Sequence, residues 1–309
     1  MSRRFLVFAL TLAVAASLGV YATAQSKSWS LPNPDSSNYR VLEQINKANV
    51  GQLQMAWFYP YGNPINSPVF AHDTIYGLGR NGTSILALDA ATGKEIWIHD
   101  GLSGVTAKGL NYWESEDGKD RRLIFCADSF LQEIDAQTGK TIPTFGLDGA
   151  VDMRKGLLRA EGTSIGAQPA SPGRIWKTTM IFGGQSGESI MTPPGDIRAY
   201  DVITGKLLWQ FNTVPQPQQF GYDTNPPDGW NYIGGANNWG EMSLDEERGI
   251  VYIPTGSATA DFWGGDRHGQ NLFANCLLAL DVRTGKRLWR SEEHTSELQS
   301  RFGISYAVF

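Results

Sequence analysis

Residues 278–289, LALDVRTGKRLW, decide the fold, because the phrase stands at three earlier places: LALDAATGKEIW at 86–97, QEIDAQTGKTIP at 132–143 and RAYDVITGKLLW at 198–209. In each copy apolar residues alternate into a strand and Asp-x-x-Thr-Gly-Lys turns the chain. A second strand then ends on tryptophan or, in the second copy, on Pro143. Gly93, Gly139, Gly205 and Gly285 supply the positive φ a tight turn needs, and the aspartate can accept backbone N–H groups across it. Each copy is therefore predicted to be a β-hairpin. A single unit cannot bury its apolar face without neighbours, so the repeats must stack. The intervals between Asp89, Asp135, Asp201 and Asp281 grow along the chain. This suits four-stranded propeller blades of about 40–50 residues with lengthening insertions better than a solenoid of equal rungs.

The bulk composition agrees. With 309 residues, 41% of them hydrophobic, the chain is large enough for a sizeable core. Its 35 glycines and 10 tryptophans suit many short strands joined by tight turns. No helical periodicity longer than two or three turns follows the N-terminal stretch, which makes the fold all-β. The net charge of −5, without a Lys/Arg run, argues against a nucleic-acid partner. His72, His99, His268 and His294 lack the spacing of a metal hydrolase, and there is no GxSxG and no phosphate-cradling glycine loop.

The N-terminus reads as an export signal: Arg3-Arg4, an apolar stretch from Phe5 to Val20, then Ala22-Thr23-Ala24. Cleavage is expected after Ala24, leaving residues 25–289 as the mature propeller part in the periplasm. The alternative is a retained membrane anchor, for which the apolar run is a little short. Cys126 and Cys276 sit in strands of different repeats and read as buried core residues, and the sequon at Asn81 reads as a turn.

After Trp289 the texture changes abruptly to RSEEHTSELQSRFGISYAVF. This string resembles the in-frame translation of a common short-read sequencing adapter, from Arg290 to Ser300 and again from Ile304 to Phe309. A polar linker followed by a short strand would not explain a match in frame on both sides. Residues 290–309 are accordingly expected to carry no function.

Several stretches carry a family resemblance. INKANVGQLQMAWFY, KGLNYW and TGKTIPTFGLDGAVDMRKGL, and most specifically GYDTNPPDGWNYIGGANNWGEMSLDEERGIVYIPTGSATADFWGGDRHGQNLFAN, are similar to segments of the quinoprotein dehydrogenases. PTGSATADFWGG is closest to their glucose dehydrogenase-like subgroup. The resemblance implies an eight-bladed propeller with tryptophan-docking repeats, of which about half is present. It also implies pyrroloquinoline quinone (PQQ) and Ca2+ on the central axis, and oxidation of an aldose or alcohol, with electrons passing to cytochrome c or ubiquinone.

The resemblance further implies roles for particular residues. Trp239 falls where the family places the indole beneath the planar cofactor, a role that suits a large, rigid π surface. The alternative is a core tryptophan, but Gly235, Asn237, Asn238 and Gly240 around it are unusual for a core strand, and Asn237 and Asn238 join it as cofactor contacts. Lys108 stands where the family has an Arg near the quinone oxygens. A cation there would stabilise negative charge on the reduced cofactor, although lysine lacks the planar fork and also suits a solvated turn. Calcium requires hard oxygen ligands. Glu188 is the expected acidic ligand, with Ser186 competing, and Ser257 takes the place of a ligand asparagine in the family's TGNP. The family's catalytic base, an aspartate just beyond the fourth docking motif, falls where the adapter-like string begins. The chain as it stands is therefore expected to be inactive. The rival reading from another class is a cofactor-free propeller scaffold of the outer-membrane assembly type, which shares the docking repeats but not GGANNWG. Sequencing the native locus across the Trp289 codon is expected to return continuing propeller sequence. Recovery of the adapter-like codons there would overturn that expectation.

Overall fold

The computed structural model describes residues 44–60, 68–79, 82–106, 108–157, 167–169 and 171–291. The segment read as an export signal, Asn81 and residues 292–309 lie outside them. Four antiparallel sheets of four strands follow one another along the chain, each a meander in sequence order. Blade 1 holds β1 (Val69–Ala71), β2 (Thr74–Gly79), β3 (Ser84–Asp89) and β4 (Glu95–Asp100). Blade 2 holds β5 (Asn111–Glu114), β6 (Arg121–Ala127), β7 (Phe130–Asp135) and β8 (Ala150–Asp152). Blade 3 holds β9 (Arg174–Trp176), β10 (Thr179–Phe182), β11 (Ile197–Asp201) and β12 (Leu207–Phe211), and blade 4 holds β13 (Ser243–Asp245), β14 (Ile250–Pro254), β15 (Leu277–Asp281) and β16 (Arg287–Arg290). The architecture is all-β, and four propeller blades are present.

The core is a series of slabs between blade faces. Successive side chains of a strand point to opposite faces, and β6 shows the result: Leu123 and Phe125 pack into the slab shared with blade 1, while Ile124 and Cys126 enter the slab shared with blade 3. A third slab, built on Ile181, Ile197, Val251 and Leu278, joins blades 3 and 4 and takes in Cys276. Both cysteines are free and buried, as expected, although Cys276 lies just before β15 rather than within a strand.

The repeated phrase forms the outer hairpin in blades 1, 3 and 4. Each has the same register, with a small residue facing a large one (Ala87 and Trp97, Ala199 and Trp209, Ala279 and Trp289), followed by the same one-residue irregularity. At the turn, Asp89 Oδ1 accepts from the Thr92 amide at 2.8 Å and its hydroxyl at 2.6 Å, and Asp201 and Asp281 repeat the arrangement with Thr204 and Thr284. The turn glycine has a φ near +70°, as the tight turn requires, and at three of the four turns an indole lies on it. A Cβ on Gly93 would meet Trp57 at 2.5 Å, one on Gly139 would meet Trp97 at 2.6 Å, and one on Gly285 would meet Trp209 at 2.5 Å. Each indole also donates its Nε1–H to the carbonyl just after the turn aspartate: Ala90 at 2.9 Å, Ala136 at 3.1 Å and Val282 at 2.9 Å. Trp113 and Trp176 form a second row, donating to Lys177 O and Glu246 O in the next blade at 2.7 and 3.0 Å.

The second copy departs from the predicted hairpin. Thr141 makes a single bridge to Ile134, and the outer strand β8 returns only at Ala150, paired with Phe130–Gln132. Pro143 has no N–H with which to extend the ladder. Its blade also lacks a docking tryptophan, and other groups fill the joint. Phe145 and Val151 lie on Gly205, and Arg122 Nη1 donates at 3.0 Å to Val202 O, the carbonyl an indole would have taken. Glu133 occupies the position held by alanine in the other copies. It is fully buried and pairs with Arg122 at 2.8 Å. Removing one partner of a buried pair strands the other charge. Arg122→Met in the full-length protein is therefore expected to cost about 3–5 kcal/mol in urea unfolding. Adding Glu133→Leu should recover most of that loss, and a mild single variant would show that the pair does not hold the joint.

Candidate functional site

Meander geometry sends the β2–β3 type of loop and the blade-to-blade connections to one end of the sheets, and the docking turns to the other. At the loop end lies a cleft of about 660 Å³. Its walls come from the connection between blades 1 and 2 (Gly104, Val105, Thr106 and Lys108), from Gln168 between blades 2 and 3, and from the β10–β11 loop (Gln185 to Glu188). Asn237 and Trp239 between blades 3 and 4, and Asp261 in the β14–β15 loop, complete them. Residues far apart in sequence thus converge at a single opening.

The segment carrying Asn237 and Trp239 is clamped from both sides. Ala236 N donates to Ser257 O at 2.6 Å and Gly256 N to Asn237 O at 2.9 Å, while Gly195 N donates to Gly235 O at 2.8 Å. Gly195 allows this approach because it has no side chain: a Cβ there would lie 2.2 Å from Asn237 Cα. The Trp239 indole rests by its Nε1 edge against Gly256 yet remains 63% exposed. A large indole left open in a cleft is available to a flat ligand. Lys108 reaches across from the connection between blades 1 and 2, donates to Trp239 O at 2.5 Å, and holds its ammonium 5.2 Å from the ring centroid. An ammonium has three donors, so two remain for a ligand.

The other candidate residues divide. Asn237 lines the cleft and accepts from Ser186 Oγ at 2.8 Å, and Glu188 lies on the same wall. Asn238, its neighbour, turns the other way. It is fully buried against Gly183 and donates to Pro254 O at 2.8 Å, behind the wall. Ser257 also lies outside the cleft lining, with its hydroxyl donating to Ala258 O at 3.1 Å. A residue not singled out from the sequence, Asp261, does line the cleft. Its amide donates to Glu188 O at 3.0 Å. Burial and then the nearby Glu188 push its carboxyl up to about 6, against the pull of Arg267. The signal was present in the DFWGG stretch, but nothing local in it shows which way the aspartate faces. No grouping of three or more His, Cys, Asp or Glu side chains suited to a metal occurs among the described residues.

Comparison with known proteins gives a consistent result. The family described as PQQ: Glucose/ethanol/alcohol dehydrogenase, beta-propeller domain, matches residues 29–293. Quinoprotein glucose dehydrogenase A of Acinetobacter calcoaceticus is 30% identical over 290 residues, covering 81% of this chain and 35% of that protein. Quinoprotein glucose dehydrogenase of Gluconobacter oxydans is 32% identical over 284 residues, covering 80% and 34%. The chain thus spans about a third of the length of these relatives. Among solved structures, quinohemoprotein alcohol dehydrogenase from Comamonas testosteroni superposes with a TM-score of 0.68 at 25% identity, covering 86% of this chain and 41% of that one.

Proposed function

The chain belongs to the PQQ-dependent glucose/ethanol/alcohol dehydrogenase β-propeller family, and we propose that the protein it builds oxidises a glucose-like aldose or an alcohol, with PQQ and calcium held in the cleft described above. The observation that carries this reading is the open Trp239 indole under a polar cleft with Lys108 beside it. The bound quinone supplies the electron-accepting chemistry and the metal supplies Lewis acidity.

The chain's own residues fit both groups. Trp239 offers a rigid stacking surface braced by Gly256, and Lys108 offers positive charge to an anionic, carboxylate-bearing ring system. For the metal, the wall provides the Glu188 carboxylate and a buried carboxylate oxygen of Asp261 with no hydrogen-bond partner among the described residues. These are the hard oxygen donors calcium takes. The names of the glucose dehydrogenase relatives favour a sugar as substrate. Export to the periplasm would bring the protein to respiratory acceptors, a cytochrome or ubiquinone. The general base belongs to sequence beyond Trp289 in this reading, so residues 25–289 alone are expected to be inactive.

Reconstitution of the full-length gene product with PQQ and calcium is expected to give cofactor-dependent dye reduction with glucose, other aldoses, polyols or simple alcohols. Absence of both a cofactor absorbance change and turnover would reject the enzyme. Trp239→Ala is expected to weaken PQQ binding roughly tenfold or more, read by equilibrium titration, because it removes the stacking surface.

A further inference from the structure

We infer that Asp261, rather than Ser257, supplies the second protein ligand to the cation held at Glu188. The inference rests on the cofactor-and-calcium reading above and assigns its metal site. Four observations carry it.

Asp261 and Glu188 line the same cleft although they come from different blades, and the hydrogen bond from Asp261 N to Glu188 O fixes the two loops against each other. Asp261 Oδ1 is buried and makes no hydrogen bond among the described residues, an arrangement that costs free energy unless something occupies its lone pairs. Arg267, the nearest positive influence, spends its guanidinium elsewhere: Nε on Ala260 O at 3.2 Å and Nη1 on Asn271 Oδ1 at 2.9 Å. Two carboxylates therefore line one wall of the cleft, and the Arg267 guanidinium bonds to neither of them among the described residues.

Ser257 has the opposite character. Its carbonyl is committed to Ala236 N–H and its hydroxyl to Ala258 O, so its backbone builds the clamp and its side chain stays off the cleft wall. A carboxylate is also the stronger oxygen ligand for a hard cation, and each added negative ligand tightens calcium binding. A serine at the family's asparagine position is thus compensated four residues downstream, across the β14–β15 loop.

The test is calcium titration, by calorimetry, into chelator-stripped full-length protein with PQQ present, the cofactor being followed separately by its absorbance. Asp261→Asn, which preserves volume, and Glu188→Gln are each expected to weaken calcium binding about tenfold or more, while Ser257→Ala stays within about twofold. Thermal melts of the metal-free variants establish that each is folded, and Asp261→Glu, which restores the charge, should recover part of the affinity. Unchanged calcium affinity in Asp261→Asn, or a loss in Ser257→Ala as large as that in Glu188→Gln, overturns the assignment while PQQ binding leaves the functional reading standing. Failure of the wild type to bind PQQ overturns that reading and the assignment with it.

Discussion

The structure depends on one contact: an indole laid flat on the turn glycine of the next blade, with its N–H given to the carbonyl that follows the turn aspartate. The contact buries a large apolar surface and satisfies a donor in a single geometry. It also fixes how far and at what angle one sheet stands from the next. Trp57, Trp97 and Trp209 all make it. Because it lies at the end of the meander that holds the tight turns, the opposite end is left to the long loops, whose lengths can change without disturbing the joint. The cleft is formed by those loops, and its position follows from the stacking rather than from any residue in it.

The joint between blades 2 and 3 shows which part of this contact is indispensable. With proline at the tryptophan position, the carbonyl of Val202 still receives a donor and Gly205 still carries an apolar cover, but the donor is Arg122 and the cover is Phe145 with Val151. Two roles fused in tryptophan are here divided between blade positions. The arginine then needs Glu133, placed where the other copies keep alanine opposite the indole. A buried ion pair is thus the consequence of one missing side chain.

Three of the four hairpins, the turns and the blade count were legible in the sequence because their causes are local: alternation, a turn glycine and an aspartate at fixed offsets. The opening at Trp239 was legible for a related reason, since glycines and asparagines around a tryptophan do not suit a packed strand. Contacts made across blades were not. The second row of indoles, Trp113 and Trp176, has no signature in its own segment, because its acceptors lie in the following blade. Asn237 and Asn238 look alike as letters, yet one side chain reaches the cleft and the other lies behind its wall, held by Pro254 O. Ser257 and Asp261 exchange prominence for the same kind of reason. Hydrogen bonding commits the former to the clamp, and the loop that follows delivers the latter to the wall.

The docking contact also has a direction in time. In every case the tryptophan precedes the turn that covers it, by 33, 39 and 73 residues to the acceptor carbonyl. A chain delivered N-terminus first, by synthesis or by export, therefore presents each indole bare until the next hairpin arrives. At about 5–20 residues per second, that wait is roughly 2–15 s. Each blade is sealed only by its successor, so folding advances like a row of latches closing in order, and the last indole to emerge at any moment is the growing molecule's point of greatest stickiness.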